Sequence, residues 1–335
     1  MLILNESEIR ALVDAEMART AIEGAFRALH RGEATLANVI SLPFRDPEGI
    51  AHIKAGHLHD DGVWTVKVSA DFDPGDGAAT RHSGLMLVIS AVDGTLVGVL
   101  SDNGFLTELR TGAAGAVAAD LLARHDVTTT AIVGAGSQAR YQLEALLRVR
   151  AVDRVHVASR SRQRARAFVD EIADRGLSAR LCDSVQEAVR GADIVITTTP
   201  STVPLVKAEW LDAGAHVTAV GSDEPNKQEL APDVLAHASV IAVDDRRQAA
   251  TFGELHHAIE AGVRTEEDVV TFGELLEGVV PGRVADEEIT VADLTGVGVQ
   301  DAAIATLVLR EATRAHVAHL DPRGARDARA ELRRA

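Results

Sequence analysis

The chain carries one cysteine, Cys182, in 335 residues, so no internal disulfide can form. Aromatic residues are scarce as well: seven Phe, two Trp and one Tyr make up 3% of the sequence, which leaves the cores to aliphatic side chains and alanine. Positive charge is in deficit. With 34 Lys and Arg against 50 Asp and Glu, the formal charge of −16 repels phosphate backbones and anionic lipid, so neither nucleic acid nor membrane is expected as a partner. No apolar run is long enough to span a bilayer and no signal-like start is present, and a cytoplasmic location is expected. HExxH spacing and cysteine clusters are also missing. No metal site is therefore expected, although His52, His57 and His59 share one stretch and His256 and His257 another.

What is present fits a globular protein, with 46% hydrophobic and 25% charged residues and no long low-complexity tract. The length exceeds what one core usually supports, so two domains are expected. Only the last stretch, "RGARDARAELRRA", reads as a loose charged tail. A short apolar strand at residues 2–4 leads to a helix capped by Asn5 or Ser7, and a second helix carries Ile22, Phe26 and Leu29 on one face. From about residue 50 to 101 the pattern is strand-like, with a turn at Asp93 and Gly94. An alanine-rich helix over 106–122 follows. After it strands alternate with helices: strands at 130–133, 154–158, 179–182, 194–198, 216–220 and 240–243, with helices at 137–147 and 162–172 among them. Such alternation with β-branched strands predicts a parallel sheet covered on both faces.

"AIVGAGSQA" places Gly134, Gly136 and Ala139 in the pattern G-x-G-x-x-A between a strand and a helix, with Ser137 and Gln138 on the first helical turn. Here the first glycine allows a tight turn, the second leaves room for a pyrophosphate, and the alanine lets helix and strand pack closely. The end of the next strand reads "VHVASRSRQR". Ala158 and Ser159 stand where an acid would bind the ribose of NAD, and Ser159, Arg160 and Ser161 suit a 2′-phosphate, so NADP(H) is favoured over NAD(H). Ligands of such sheets sit at the carboxyl ends of the strands. Thr198 and Thr199 of "TTTPS" fall there, as do Gly221 and Asp223 of "GSDEP". Asp223 is either the cap of a helix starting at Pro225 or a catalytic acid.

Taken together, "VKVS", "DNGFLTELRTGAAGAVAA", "IVGAGSQA", "ADIVITTTPS", "VGSDEPNKQEL" and "FGELHHAI" resemble the ornithine cyclodeaminase/mu-crystallin family, and most closely its branch containing iminosuccinate reductase and ectoine-utilisation enzymes. The resemblance implies an α/β protein: a Rossmann doubly wound parallel sheet plus a discontinuous α+β substrate and dimerisation domain. On this sequence the latter would comprise residues 1–112 and 300–335, and the nucleotide domain residues 113–299. A homodimer formed through the substrate domains is implied. So is exchange of hydride at the α-carbon of a small amino, imino or keto acid. By the same resemblance Lys67 and Arg110 hold the substrate carboxylate, Arg45 and Lys54 join them, and Asp223 is the catalytic acid, with Lys67 the competing proton donor. Thr111 becomes a cofactor phosphate contact, and Gly296 in "TGVGVQD" lies near the nicotinamide. Three activities stay open: an imine reductase or amino-acid dehydrogenase, a cyclodeaminase that returns its hydride, and a nucleotide-binding protein without turnover. "GSDEPNK" departs from the "GGDCPGK" type of cyclodeaminase motif, which weakens the second.

Overall fold

A computed structural model describes residues 1–45, 48–72 and 81–319; the tail "RGARDARAELRRA" lies outside the described residues. Contacts divide the chain into Met1–Arg110 joined by the segment from Val297 onward, and Thr111–Gly296.

The first unit begins with β1 (Leu2–Asn5), α1 (Glu6–Arg10) and α2 (Ala15–His30). Asn5 and Glu8 form a reciprocal capping box at the start of α1, which satisfies two otherwise unpaired N–H groups. Asp14 caps α2 in turn, and the helix buries Ala18, Ile22, Ala25 and Phe26, a spacing that lines up one face. Five strands follow: β2 (Ala34–Leu36), β3 (Ile40–Arg45), β4 (Glu48–Leu58), β5 (Val63–Phe72) and β6 (Arg81–Ser90). After β7 (Leu96–Ser101) comes α3 (Phe105–Leu122), which carries the first division between units. The sheet runs β1-β7-β6-β5-β4-β2, antiparallel from β4 to β7, with β1 parallel to β7 and β3 paired with β4.

In the second unit the strands are β8 (Thr129–Val133), β9 (Arg154–Ala158), β10 (Ser178–Leu181), β11 (Ile194–Thr197), β12 (Thr202–Val206), β13 (His216–Ala219), β14 (Gln228–Leu230), β15 (Val240–Val243), β16 (Val270–Thr271) and β17 (Thr290–Asp293). Its helices are α4 (Ser137–Leu146), α5 (Arg162–Asp174), α6 (Val185–Val189), α7 (Pro232–His237), α8 (Arg246–Ala249), α9 (Gly253–Glu260) and α10 (Phe272–Leu276). Eight strands form one parallel sheet in the order β10-β9-β8-β11-β13-β17-β15-β16. From β8 the chain moves outward to β9 and β10, then returns to the other side of β8 at β11. The β8/β11 boundary is therefore the point where the winding reverses, the place such sheets bind ligands. Along β8 and β11, Ala131, Val133 and Val195 enter one core while Ile132, Ile194 and Ile196 enter the other, so both faces are covered.

The last helix, α11 (Gly298–His319), belongs to the first unit, where it packs on α2, β4 and β5. Its start touches β4 backbone to backbone: a Cβ on Gly56 would stand 2.7 Å from the Val299 nitrogen, a contact no side chain tolerates. The expected helix at Pro225 is absent. Pro225 and Asn226 make a turn that feeds β14, so no helix starts there for Asp223 to cap. The physical reason is that Gln228 and Leu230 are drawn into backbone pairing with β12. Among the described residues no helix is long and apolar enough to cross a membrane.

Candidate active site

In the second unit, Gly134 ends β8 with φ of 118°, a conformation open to glycine, and donates its N–H to Ala158 O at 2.9 Å. A Cβ there would lie 2.9 Å from Thr198 O, so the first glycine exists because the ends of β8 and β11 crowd together. Gly136 is the opposite case. It is exposed, nothing lies within 4 Å of where its Cβ would be, and as N-cap of α4 it offers no side chain to the first amides. Open N–H groups at a helix start, with free space above them, fit a dinucleotide's pyrophosphate. Ser137 is exposed and Gln138 half-buried on that first turn, while Ala139 is fully buried beneath it. Thr111 O accepts from Gln142 Nε2 at 2.9 Å, and a Cβ on Gly112 would meet Tyr141 O at 2.9 Å. The small residues of "TGAAG" thus let α3 lie directly on α4.

At the end of β9, Ser159 is half-buried and Ser161 caps α5 by accepting from Arg164 N at 3.4 Å. Arg160 is exposed and holds no hydrogen bond or ion pair among the described residues, whereas Arg162 pairs with Asp183 at 2.5 Å.

The rim of the sheet is organised by a buried acid that the sequence did not single out. Glu229 accepts from Thr197 Oγ1 at 2.7 Å, from Thr199 N at 2.5 Å and from Gly221 N at 2.8 Å, and so ties the end of β11 to the end of β13. Burial raises its pKa, against the pull of these hydrogen bonds. Glu254 in turn accepts from the backbone N–H groups of Glu229 and Leu230. Thr198 donates its N–H to Val133 O at 2.9 Å, and Gly296 donates its N–H to Asp244 at 2.6 Å. Asp223 sits on the same rim with its side chain 38% exposed and accepts from Lys227 Nζ at 2.8 Å. Burial alone would lower the Lys227 pKa, but the Asp223 and Glu224 carboxylates outweigh it and raise it, so Lys227 stays an ammonium. The Lys227 carbonyl accepts from Ser222 Oγ at 2.6 Å, and His257 Nε2 lies 2.8 Å from it, which holds the turn beneath Asp223.

The first unit gathers the cationic residues. Lys67 projects inward from β5, directly across from Lys54 on β4, and both are buried. Arg110, also buried, donates from Nε to Asp301 Oδ1 at 3.1 Å and from Nη1 to Gln300 Oε1 at 2.9 Å. Asp301 Oδ2 stands 3.3 Å from Lys67 Nζ. One buried carboxylate of α11 therefore holds together cations from β5 and α3. Desolvation lowers the Lys67 pKa to about 7; the Asp301 carboxylate opposes this, while Arg110 and Lys54 push the same way as burial. For Asp301 itself burial would raise the pKa, but Lys67, Arg110 and Lys54 outweigh it and lower it. Asp102, buried nearby in the charge field of Lys67, accepts from Leu106 N at 2.8 Å at the start of α3, and burial raises its pKa. Arg45 is not part of this group. It lies exposed at the end of β3, opposite Glu48.

Asp301 and Gln300 were within reach of sequence reasoning only as the last letters of "TGVGVQD". Nothing local pairs them with Arg110, since they lie 190 and 191 positions along the chain from it.

A family model described as the ornithine cyclodeaminase/mu-crystallin family matches residues 1–316. The chain belongs to this family. One relative, an uncharacterized cyclodeaminase of Sinorhizobium fredii, is 41% identical over 318 residues, covering 93% of this chain and 96% of that protein. Among solved structures, an archaeal alanine dehydrogenase dimer with bound NAD is similar with a TM-score of 0.87 and 38% identity, over 94% of this chain and 97% of that one. The iminosuccinate reductase of Paracoccus denitrificans in complex with NAD+ is similar with a TM-score of 0.85 and 29% identity, over 94% and 97%. Members of the ornithine cyclodeaminase/mu-crystallin family thus share this fold along nearly their whole length.

Proposed function

We propose that this protein is a nicotinamide-dependent oxidoreductase acting at the α-carbon of a small amino or imino acid, as an imine reductase or amino-acid dehydrogenase. The observation that carries the reading is the buried group of Lys54, Lys67 and Arg110 around Asp301, with Lys67 titrating near neutrality. Cationic donors gathered around Asp301 suit a substrate's α-carboxylate, and Arg110 and Lys54 are assigned to it. Reduction of an imine needs a proton on nitrogen besides hydride on carbon. A lysine with a pKa of about 7 exchanges that proton readily at neutral pH, so Lys67 is assigned the transfer. Asp223, oriented through Lys227, is assigned to the substrate nitrogen as a hydrogen-bond acceptor. A bound nicotinamide supplies hydride to the α-carbon or takes it up. The amides after Gly136, with Ser137 and Gln138, are assigned to the pyrophosphate. Thr111, Thr198, Thr199, Gly221 and Gly296 are assigned to the rest of the dinucleotide.

NADP(H) is the proposed form. The end of β9 presents an exposed Arg160 with no ion pair among the described residues, beside Ser159 and Ser161, and no acid. A homodimer through the first unit is proposed as well, because β3 exposes Ile40, Leu42 and Phe44 on one side of an outer strand, an apolar stripe suited to an interface. The test is to follow reduced-nicotinamide absorbance with a panel of amino acids and of keto acids plus ammonia. Net change with either panel supports the assignment. Ammonia release without net change means cyclodeamination, and cofactor binding with no turnover on any acid removes the enzymatic reading.

A further inference from the structure

Two donors in the Lys67–Arg110 group have no hydrogen-bond partner among the described residues. One is Nε2 of Gln300, a fully buried side chain. The other is Arg110 Nη2, whose companions Nε and Nη1 are engaged by Asp301 and Gln300. The orientation of the Gln300 amide follows from its bonds. Oε1 accepts from Arg110 Nη1 at 2.9 Å and from Val297 N at 3.1 Å, and the reversed amide would set its NH2 against both donors. Its NH2 therefore points where the protein supplies no acceptor. A buried amide donor left in that state is costly, and an oxygen of a bound ligand at this position would satisfy it.

We infer that Gln300 is a substrate-binding residue: its Nε2 donates to one oxygen of the substrate's α-carboxylate, beside Arg110 Nη2, which donates to the same group. The hydrogen bond between Arg110 Nη1 and Gln300 Oε1 locks the two planar groups together, so the pair presents a fork with one charged and one neutral prong. The neutral prong has a reason. Arg110 and Lys54 already depress the Lys67 pKa, and another cation would depress it further, whereas an amide adds a directed donor without charge.

This inference rests on the reading of the first unit as an amino or imino acid site, and the experiment separates the two. Gln300→Glu keeps the shape and the acceptor for Arg110 and Val297 but removes the donor; Gln300→Met keeps the volume and removes both. Each is assayed with pyruvate plus ammonia and with L-alanine, alongside nicotinamide affinity by fluorescence and the rise in melting temperature caused by pyruvate. The expected result is a KM raised about tenfold to a hundredfold in both variants, the worth of a hydrogen bond to a charged group. Cofactor affinity stays unchanged and the pyruvate-induced rise is lost. A KM that does not move in either variant overturns the inference and leaves the activity standing. Weakened cofactor binding with an unchanged KM also overturns it, because the amide then serves the nucleotide. A Gln300-dependent rise with pyruvate but no turnover on any acid keeps the binding role and removes the proposed activity.

Discussion

Replacing Asp301 with Asn removes one negative charge 3.3 Å from the Lys67 ammonium while keeping an oxygen to accept from Arg110 Nε. Two unit charges at that separation interact by about 5 kcal/mol at an effective dielectric constant of ~20, an upper bound once side chains and solvent rearrange. Since about 1.4 kcal/mol corresponds to one pKa unit, a loss of even a third to a half of that interaction lowers the Lys67 pKa by roughly one to two units. The direction is fixed by the balance already present: desolvation, Arg110 and Lys54 push the lysine toward its neutral form, and Asp301 is what opposes them. In the wild type, with a pKa of about 7, close to half of Lys67 is protonated at neutral pH. In the variant roughly one part in ten to one in a hundred remains so. If Lys67 gives its proton to the imine, the reductive rate falls as pH rises through its pKa, and the descending limb of the kcat/KM profile moves from near 7 toward about 5 or 6. At neutral pH the loss is about fivefold to fiftyfold, and lowering the pH recovers it. The assay is the pH dependence of reduced-nicotinamide consumption for both proteins. A descending limb that stays in place, or a loss that acid does not rescue, refutes the assignment of Lys67 as proton donor tuned by Asp301.

Asp223→Asn should fold and bind nicotinamide normally, because no helix depends on that residue, while turnover falls by roughly tenfold to a hundredfold, the worth of a charge-assisted hydrogen bond to the substrate nitrogen; turnover near the wild-type level would remove Asp223 from the reaction. Arg160→Asp should erase or reverse a preference for NADP(H), read as the ratio of kcat/KM with the two cofactors, and an unchanged ratio would show that the end of β9 does not read the 2′-phosphate. Leu42→Glu should shift the protein toward monomer in light scattering, since it sets a charge in the apolar stripe of β3, and an unaltered mass would place any interface elsewhere. Because the folded Lys67 pKa of about 7 lies below the unfolded value near 10.5, the unfolded chain binds more protons between them. This group therefore destabilises fully below pH 7, and its contribution improves as pH rises toward 10.5, by up to about 1.4 kcal/mol per unit. Urea unfolding at pH 7 and 9 should show wild type gaining on Lys67→Met, and parallel curves would contradict the depressed pKa.

Features carried by neighbouring residues were determined by the sequence alone. Gly134, Gly136 and Ala139 do their work within six positions, between a strand and a helix that each announce themselves by composition, so the fingerprint and its place on β8 and α4 could be read directly. The same holds for the cap of the first helix, narrowed to Asn5 or Ser7, and for the buried strands β8 and β11, whose β-branched runs suit a sheet covered on both faces. Lys67 and Arg110 could be picked out by type and motif, but the tertiary structure decided what they are. Lysine titrates near 7 only because packing removes water from it, and its neighbours arrive from other strands and helices. Asp301 and Gln300 meet Arg110 across 190 residues or more, a pairing no local spacing encodes. The fate of Asp223 was settled the same way. Its Pro at the next position but one suits a helix start, yet pairing of β14 with β12 pulls the chain into a strand, and Lys227 takes the carboxylate that a helix would have used. Short-range preference is worth a fraction of a kcal/mol per residue, whereas burial and charge pairing inside the fold are worth several, and where the two conflict the fold prevails.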